Sequence, residues 1–576
     1  MSPGAPADGP SSLDGRGLVA ALWPQGPGLQ REFLRDASRP LRDGGSISYA
    51  AAQAGSARLA HALRSLGVRA GDRVAVQVEK STTAVLLYLA VLRLGAVYLP
   101  LNTAYTEAEL DYFLTDAEPT LWVVTPERAA SLQALAARLR LPALATLGAD
   151  GRSGSLVAVA ESQSDRFEDV APEATDIAAI LYTSGTTGRS KGAMLTHGNL
   201  IANARTLAAL WRFSPEDRVL HALPLFHIHG LFVAINVALA AGAGVLLLPR
   251  FDTMAVLSQL AEATVLMGVP THYVRLLGEP ALTREATAHM RLFICGSAPL
   301  LPETHQAFRE RTGHAILERY GMSETGMLCS NPYDGERRPG SVGQPLPDVQ
   351  LRIVDPDTTR ECRSGQAGLI EVRGPNVFAG YWRNPEGTRA SFRPDGWFIT
   401  GDVGQLDADR YVTLIGRARD LIITGGYNVY PREIELEIDA LPGVLESAVI
   451  GLPHPDYGEG VTAVIVPAAQ APGRPGTTAI ADSADAAPAA APLTEAAVLA
   501  ALRARLASYK LPKRVLWIGE LPRNVMGKVQ KAELRRLFAA LYTSATGSPV
   551  CSDPGIAGAS AVTPGRPAPP GEPPVT

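Results

Sequence analysis

From Thr183 to Lys191 the chain reads Thr-Ser-Gly-Thr-Thr-Gly-Arg-Ser-Lys, a run of hydroxyls and glycines closed by a cation. Backbone N–H groups in such a loop can surround phosphate oxygens, the hydroxyls add donors, and the lysine adds charge. The spacing is not GxxxxGK[ST], so this is no Walker A loop. A plain turn after a strand is the competing reading, but ordinary turns are shorter and less ordered in composition.

Three further segments carry residues able to do chemistry. Glu324 follows a Tyr-Gly turn in Glu318-Arg-Tyr-Gly-Met-Ser-Glu-Thr325. A carboxylate beside a triphosphate is a natural magnesium ligand, because Mg2+ takes oxygen donors and is held by carboxylates together with phosphates. Standing alone, a loop glutamate is usually only solvated. Lys528 ends Pro522-Arg-Asn-Val-Met-Gly-Lys528, a short loop before a helical run, and by itself it is an ordinary exposed lysine. His221-Ala-Leu-Pro-Leu-Phe-His-Ile-His229 sets His227 and His229 at i, i+2, but no third ligand is near, which argues against zinc.

Together with Thr400-Gly-Asp402, Gly416-Arg417 and Gly425-Gly426, these segments resemble the adenylate-forming acyl-CoA synthetases, the AMP-binding enzymes, in order and approximate spacing over about Gly17 to Tyr542. The resemblance implies that ATP activates a carboxylate as an acyl-adenylate and that the acyl group then passes to coenzyme A. It implies that Thr183, Ser184, Gly185, Thr186, Thr187, Gly188 and Lys191 bind the nucleotide. Ser297, Ala298, Pro299, Tyr320, Gly321, Met322, Ser323 and Thr325 join them, with Tyr320 stacked on adenine against Gly296-Ser-Ala-Pro299. Asp402 and Arg417 would hold the ribose, and Thr187 and Glu324 the Mg2+. Lys528, Glu324 and His227 are the implied catalytic residues. Lys528 would bridge the reacting carboxylate and the α-phosphate, where one anion attacks another and a fixed cation stabilises the growing charge. The resemblance also implies a hinge at Arg419. One pose presents Lys528; the other brings in Gly425-Gly426, whose missing side chains admit the pantetheine of CoA. For that glycine pair, a simple turn is the other reading.

The acid pocket is expected from Val269-Pro-Thr-His-Tyr-Val-Arg275, Met290-Arg291, Ser297 and His227. The resemblance implies that fatty-acid and aryl-acid ligases of the family are apolar here, and an arginine inside the pocket would need a partner. A second carboxylate on the substrate would supply one through a bidentate pair. Arg275 is therefore the expected substrate ligand, with a helix-surface arginine as the alternative. Arg291 is the weaker candidate, since an arginine before this segment is common in the family. Ser190 before the loop lysine, Val265-Leu-Met-Gly-Val-Pro270, Ser330-Asn-Pro-Tyr-Asp-Gly335 and Gly374-Pro-Asn-Val-Phe378 resemble the malonate-activating branch. That branch implies malonate, with methylmalonate as a close competitor because one methyl group is worth only about 1–3 kcal/mol. The alternatives are a ligase for another short acid and a stand-alone adenylation enzyme.

The elements that must position these groups read as α/β. Ser46 to Ser48 precedes a helical run ending near Gly67, Arg73 to Val78 alternates as a strand, and Ser81 can cap an apolar helix that Gly95 ends. Ala96 to Leu99 is the next strand, which makes a βαβ unit of a largely parallel sheet. The expected fold is a large multi-subdomain N-terminal α/β domain over 18–418 and a small mobile C-terminal α+β domain over 419–542. Residues 1–17, an insertion at 471–492 and a tail at 543–576 are rich in Pro, Gly, Ala or Ser and expected to be disordered.

Composition bounds the function classes. A chain of 576 residues with 46% hydrophobic and 19% charged residues describes a multi-domain globular protein. A formal charge of -4 asks for neither nucleic acid nor an anionic membrane. Cys295, Cys329, Cys362 and Cys551 form no CxxC pair, which fits a reducing compartment. Met1 to Leu13 lacks the basic start and apolar core of a secretory signal, so a cytoplasmic setting is expected. The expected partners are the small-molecule substrates ATP, CoA and the acid, plus lysine-acylating and deacylating enzymes acting on Lys528. Nucleic acid and membrane insertion are not expected.

Overall fold

A computed structural model of the chain describes residues 17–38, 45–183, 190–425, 427–468, 493–524 and 527–542, with Asn428 as backbone alone. Three of the expected disordered stretches therefore lie outside the described residues, apart from Gly17.

Two large sheets form the N-terminal part. One has nine strands: Gln344–Pro345, Gly326–Ser330, Leu317–Met322, Leu292–Cys295, Val265–Gly268, Arg218–His221, Gly244–Leu247, Glu32–Asp36 and Ser46–Ser48, in that spatial order. Its centre is parallel and its two ends are antiparallel. The second has seven strands, with Arg73–Gln77 flanked by Val97–Pro100 and Leu121–Val124, both parallel to it. The expected βαβ unit is present: the Ser81 hydroxyl accepts from the Ala84 amide and starts the helix Thr82–Arg93. Every residue from Ala84 to Arg93 in that helix is buried, as a helix that is apolar all round must be. The run from His229 continues as a π-helix to Ile235, then an α-helix Asn236–Ala241 and a strand Gly244–Leu247. Among the described residues no helix is long and apolar enough to cross a membrane.

Lys80 ties the two sheets together. Its ammonium donates to the carbonyls of His221 (3.1 Å) and Leu223 (2.8 Å), and burial pulls its pKa down to about 7. The wall segment beginning at His221 is thereby fixed from the far sheet.

A four-stranded antiparallel sheet, Gln350–Val354, Gly368–Arg373, Phe398–Leu406 and Val412–Arg417, follows and ends at the turn Ala418–Asp420. The C-terminal part is a five-stranded sheet built on the long hairpin Val444–His454 and Gly458–Pro467, covered by the helices Pro431–Asp439 and Glu495–Arg503. Large α/β part plus small α+β part is the expected fold class.

Candidate active site

The first wall comes from the nine-stranded sheet. Strand Leu317–Met322 turns back as Gly326–Ser330, and Glu324 sits in the turn, 6% exposed. Its Oε1 accepts from Tyr381 Oη (3.1 Å) and Thr183 Oγ1 (3.3 Å). Burial pushes its carboxyl pKa up, because a charged oxygen there has lost water. Thr183 ends the strand that leads into the hydroxyl-rich loop, and it pairs in register with Lys191 on the returning strand. The Lys191 ammonium lies 5.0 Å over the Tyr381 ring, so the lysine and Glu324 share one neighbour. Ser184, Gly185, Thr186, Thr187 and Gly188, singled out in that loop, lie outside the described residues.

A second group is held by the four-stranded sheet. Asp402 and Arg417 are register partners on adjacent strands, with Arg417 Nε 2.8 Å from Asp402 Oδ1. Tyr320 donates its hydroxyl to the other carboxylate oxygen. The expected ribose and adenine residues thus form one chain, Tyr320–Asp402–Arg417. Thr325 is anchored beside them, since its carbonyl accepts from Asn376 Nδ2 at 2.7 Å.

The third wall is the segment Gly296 to Pro299, after strand Leu292–Cys295. Ser297 has φ +72, a left-handed backbone unusual for a residue with a side chain. Its hydroxyl lies 3.3 Å from His229 Nδ1. His227 Nδ1 accepts the His229 amide at 3.1 Å. Burial first, then the charges of Arg319 and Lys528, lowers the His227 pKa to about 3. The imidazole is therefore neutral near pH 7, and with Nδ1 accepting, its proton resides on Nε2. His229 is fully buried and held well below its ordinary pKa, chiefly by burial.

Between these walls lies a residue that the sequence reading did not single out. Arg319 is 3% exposed, and its Nε and Nη2 have no hydrogen-bond partner. The guanidinium packs against Gly296 so closely that a Cβ there would lie 2.4 Å from Arg319 Cζ. His229 Nε2, which feels the Arg319 charge, is likewise buried and unpartnered. Burial lowers the Arg319 pKa to about 10, which still leaves it charged at neutral pH. Strand alternation sends Arg319 and Tyr320 to opposite faces of one strand. A signal was present: two adjacent charged residues, Glu318 and Arg319, in the buried part of one strand.

Two expectations for the acid pocket are corrected. Arg275 is exposed on helix Pro270–Leu277, whose buried side chains are Tyr273 and Leu276. It is a helix-surface arginine, so the premise of a buried charge seeking a partner does not hold for it. Arg291 is already paired: Nε and Nη2 reach the two oxygens of Asp217 at 2.6 and 2.7 Å, and Nη1 donates to the Trp211 carbonyl at 3.0 Å. It has no donor pair to offer a substrate and ties the segment before strand Leu292–Cys295 to the one before strand Arg218–His221.

The C-terminal part reaches this site through Lys528. The lysine is half-buried, and its pKa falls to about 8, mainly from burial and then from Arg417, with Asp402 opposing. The same loop touches the N-terminal part at Gly527: a Cβ there would lie 3.2 Å from the Thr271 side chain. Arg419 is exposed in the turn Ala418–Asp420 that joins the two parts. Gly425, with φ +57, is exposed at the hairpin Ile422–Thr424/Tyr427–Val429, and Gly426 lies outside the described residues.

Comparisons with known proteins agree with this geometry. The family model described as AMP-binding enzyme matches residues 25–382, and the one described as AMP-binding enzyme C-terminal domain matches 433–528. The chain is 36% identical to the malonate–CoA ligase of Arabidopsis thaliana over 488 residues, covering 81% of this chain and 78% of that one. It is 36% identical to the feruloyl-CoA synthase of an Amycolatopsis species over 525 residues, covering 90% and 98%. Among solved structures, ATP-bound MatB from Rhodopseudomonas palustris superposes with a TM-score of 0.85 at 52% identity, covering 91% of this chain and 99% of that one.

Proposed function

Because the chain belongs to the AMP-binding enzyme family, as an acyl-CoA ligase taking ATP and CoA as substrates, we propose that its acid is malonate, with methylmalonate as a close second. The reaction is ATP plus malonate plus CoA to malonyl-CoA, AMP and diphosphate. The observation that carries this reading is Arg319, a buried guanidinium with two unfilled donors beside an unfilled His229 Nε2. Such a charge is costly to leave unpaired, and a short acid with a second carboxylate completes it with a charge-assisted pair. Acetate has nothing to offer that guanidinium. A feruloyl group would bring an apolar ring against it.

Each residue then has a task. Tyr320, Asp402 and Arg417 hold the nucleoside. Arg319, with Ser297 and His229 alongside, holds the far carboxylate and leaves the near one free to attack. A carboxylate oxygen attacks the α-phosphorus, the Pα–O bond to diphosphate breaks, and an acyl-adenylate results. Lys528 places its ammonium where negative charge accumulates between carboxylate and α-phosphate. The neutral His227 offers an Nε2–H donor to the same region. In the second half-reaction the CoA sulfur attacks the acyl carbon, its proton leaves, and AMP departs.

Magnesium fits the donor set. Glu324 is a buried carboxylate whose Oε1 accepts hydrogen bonds from two hydroxyls, with the Arg417 charge acting on it from farther off. Among the described residues no group of three metal-ligating side chains occurs, so an ion at Glu324 would take its other oxygens from phosphates, water and Thr187. When bound it would neutralise phosphate charge and orient the leaving diphosphate.

The pKa of Lys528 makes a pH prediction. The ammonium is needed charged, so kcat/KM for adenylation should be full below pH 8 and fall as pH rises through about 8. A pre-steady-state pH profile checks this; a flat profile to pH 9.5 would count against Lys528 as the active cation.

The test of the acid assignment is diphosphate release across acetate, malonate, methylmalonate, succinate and benzoate. Malonate is expected to lead, with methylmalonate within about 10–200-fold of it, the reach of one methyl group. Acetate outperforming malonate would end the dicarboxylate reading. Arg275→Ala serves as a control and should leave the order of acids unchanged.

A further inference from the structure

The loop that carries Lys528 is gripped by a side chain that belongs to none of the binding groups above. Arg523 sits at the foot of the loop and pairs through its backbone with Val529. Its guanidinium divides in two directions. Nη1 donates to the carbonyl of Gly527, and Nη2 pairs with the carboxylate of Glu446 on the long strand Val444–His454. Both side chains are largely shielded, 27% and 23% exposed, so their attraction is screened less than that of a surface pair.

What Arg523 holds matters more than the pair itself. Gly527 has φ +73, a conformation open to glycine, and it is the residue that meets Thr271 of the opposing part. Its carbonyl is therefore pinned by Arg523, while any side chain at this position would run into Thr271. Lys528 is the next residue. Backbone bonds close the loop on itself, with Gly527 N–H to Asn524 O at 2.8 Å and Asn524 N–H to Lys528 O at 3.0 Å. They fix its shape; the Arg523–Glu446 fork fixes its tilt against the sheet that bears it.

We propose that Arg523, anchored by Glu446, is a positioning residue for adenylation: it holds the Gly527 carbonyl so that Lys528 enters the site at the depth the reaction needs. This rests on the role assigned to Lys528. Misplacement by about 1 Å can cost on the order of 100-fold in rate, which sets the scale of the effect.

The experiment measures two half-reactions separately in the full chain. One is single-turnover formation of malonyl-adenylate from ATP and malonate; the other is thioester formation from supplied malonyl-adenylate and CoA. Arg523→Met should slow the first by about 10–100-fold, almost all in kcat, with KM for ATP little changed. Thioester formation should stay within about twofold, since Lys528 is not needed there. Glu446→Gln should repeat the pattern more weakly, and Arg523→Lys should recover part of the rate, because lysine lacks the fork. In a Lys528→Ala background, Arg523→Met should cost nothing further. Equal slowing of both half-reactions, or additive losses in the double variant, would make Arg523 a merely structural residue and overturn the proposal. Wild-type speed in Arg523→Met with a slow Lys528→Ala would sink the positioning role alone. Full speed in Lys528→Ala would instead remove the reading on which it stands.

Discussion

Replacing Arg319 by methionine should cut kcat/KM for malonate by about 30- to 5,000-fold, because truncating one partner of a buried charge pair costs about 2–5 kcal/mol. Acetate turnover should change little, so the preference between the two acids collapses. The same change should stabilise the ligand-free protein. Arg319 carries two buried, unfilled donors there, and an apolar side chain of similar length removes that burden. Thermal unfolding checks both sides. Malonate should raise the Tm of the wild type and leave the variant unmoved, while the unliganded variant melts above the unliganded wild type. Undiminished malonate turnover in the variant would remove the basis for the substrate assignment.

Replacing Lys528 by alanine should have the largest effect on the first half-reaction. Loss of a preorganised charge at a developing anion typically costs about 10²–10³ in rate. Supplied malonyl-adenylate should still be converted to thioester by the variant at near wild-type speed. That contrast distinguishes a residue acting in one pose of the C-terminal part from one that the fold requires. If both half-reactions failed together, Lys528 would be structural. Burial and the Arg417 charge have already made this ammonium easier to deprotonate. Lysine is thus held near the edge of its charged range, and the Asp402 carboxylate works against its loss of the proton.

Local chemistry explains which parts were legible in the sequence. The βαβ unit followed from Ser81 as a cap, Gly95 as a stop and alternation in Arg73 to Val78, all signals that act within a few residues. The nucleotide motifs were legible as a resemblance, and the structure brings Thr183 against Glu324 and joins Tyr320, Asp402 and Arg417 in a second group. The acid pocket was harder. Arg275 and Arg319 are both arginines in apolar surroundings along the chain, and only tertiary packing decides which is covered. Helix Pro270–Leu277 turns Tyr273 and Leu276 inward, which leaves Arg275 outside. Arg319 is buried because Gly296, distant in sequence, has no side chain to keep it away. Arg291 misled for a related reason: its partner Asp217 lies 74 residues earlier, and no short-range pattern announces such a pair.

The neighbouring positions of Arg319 and Tyr320 on one strand make the protein a ruler. In the proposed roles one side chain serves the acid and the next, on the other face, the nucleotide, so the two spring from Cα positions fixed one peptide step, about 3.3 Å, apart along the strand. A covalent unit cannot stretch the way a lined cavity can. Selection by acid length should therefore resist changes in pocket volume, and lengthening the accepted acid should require shifting the strand itself, for which the irregular pairing between Tyr320 and Gly321 is the natural place.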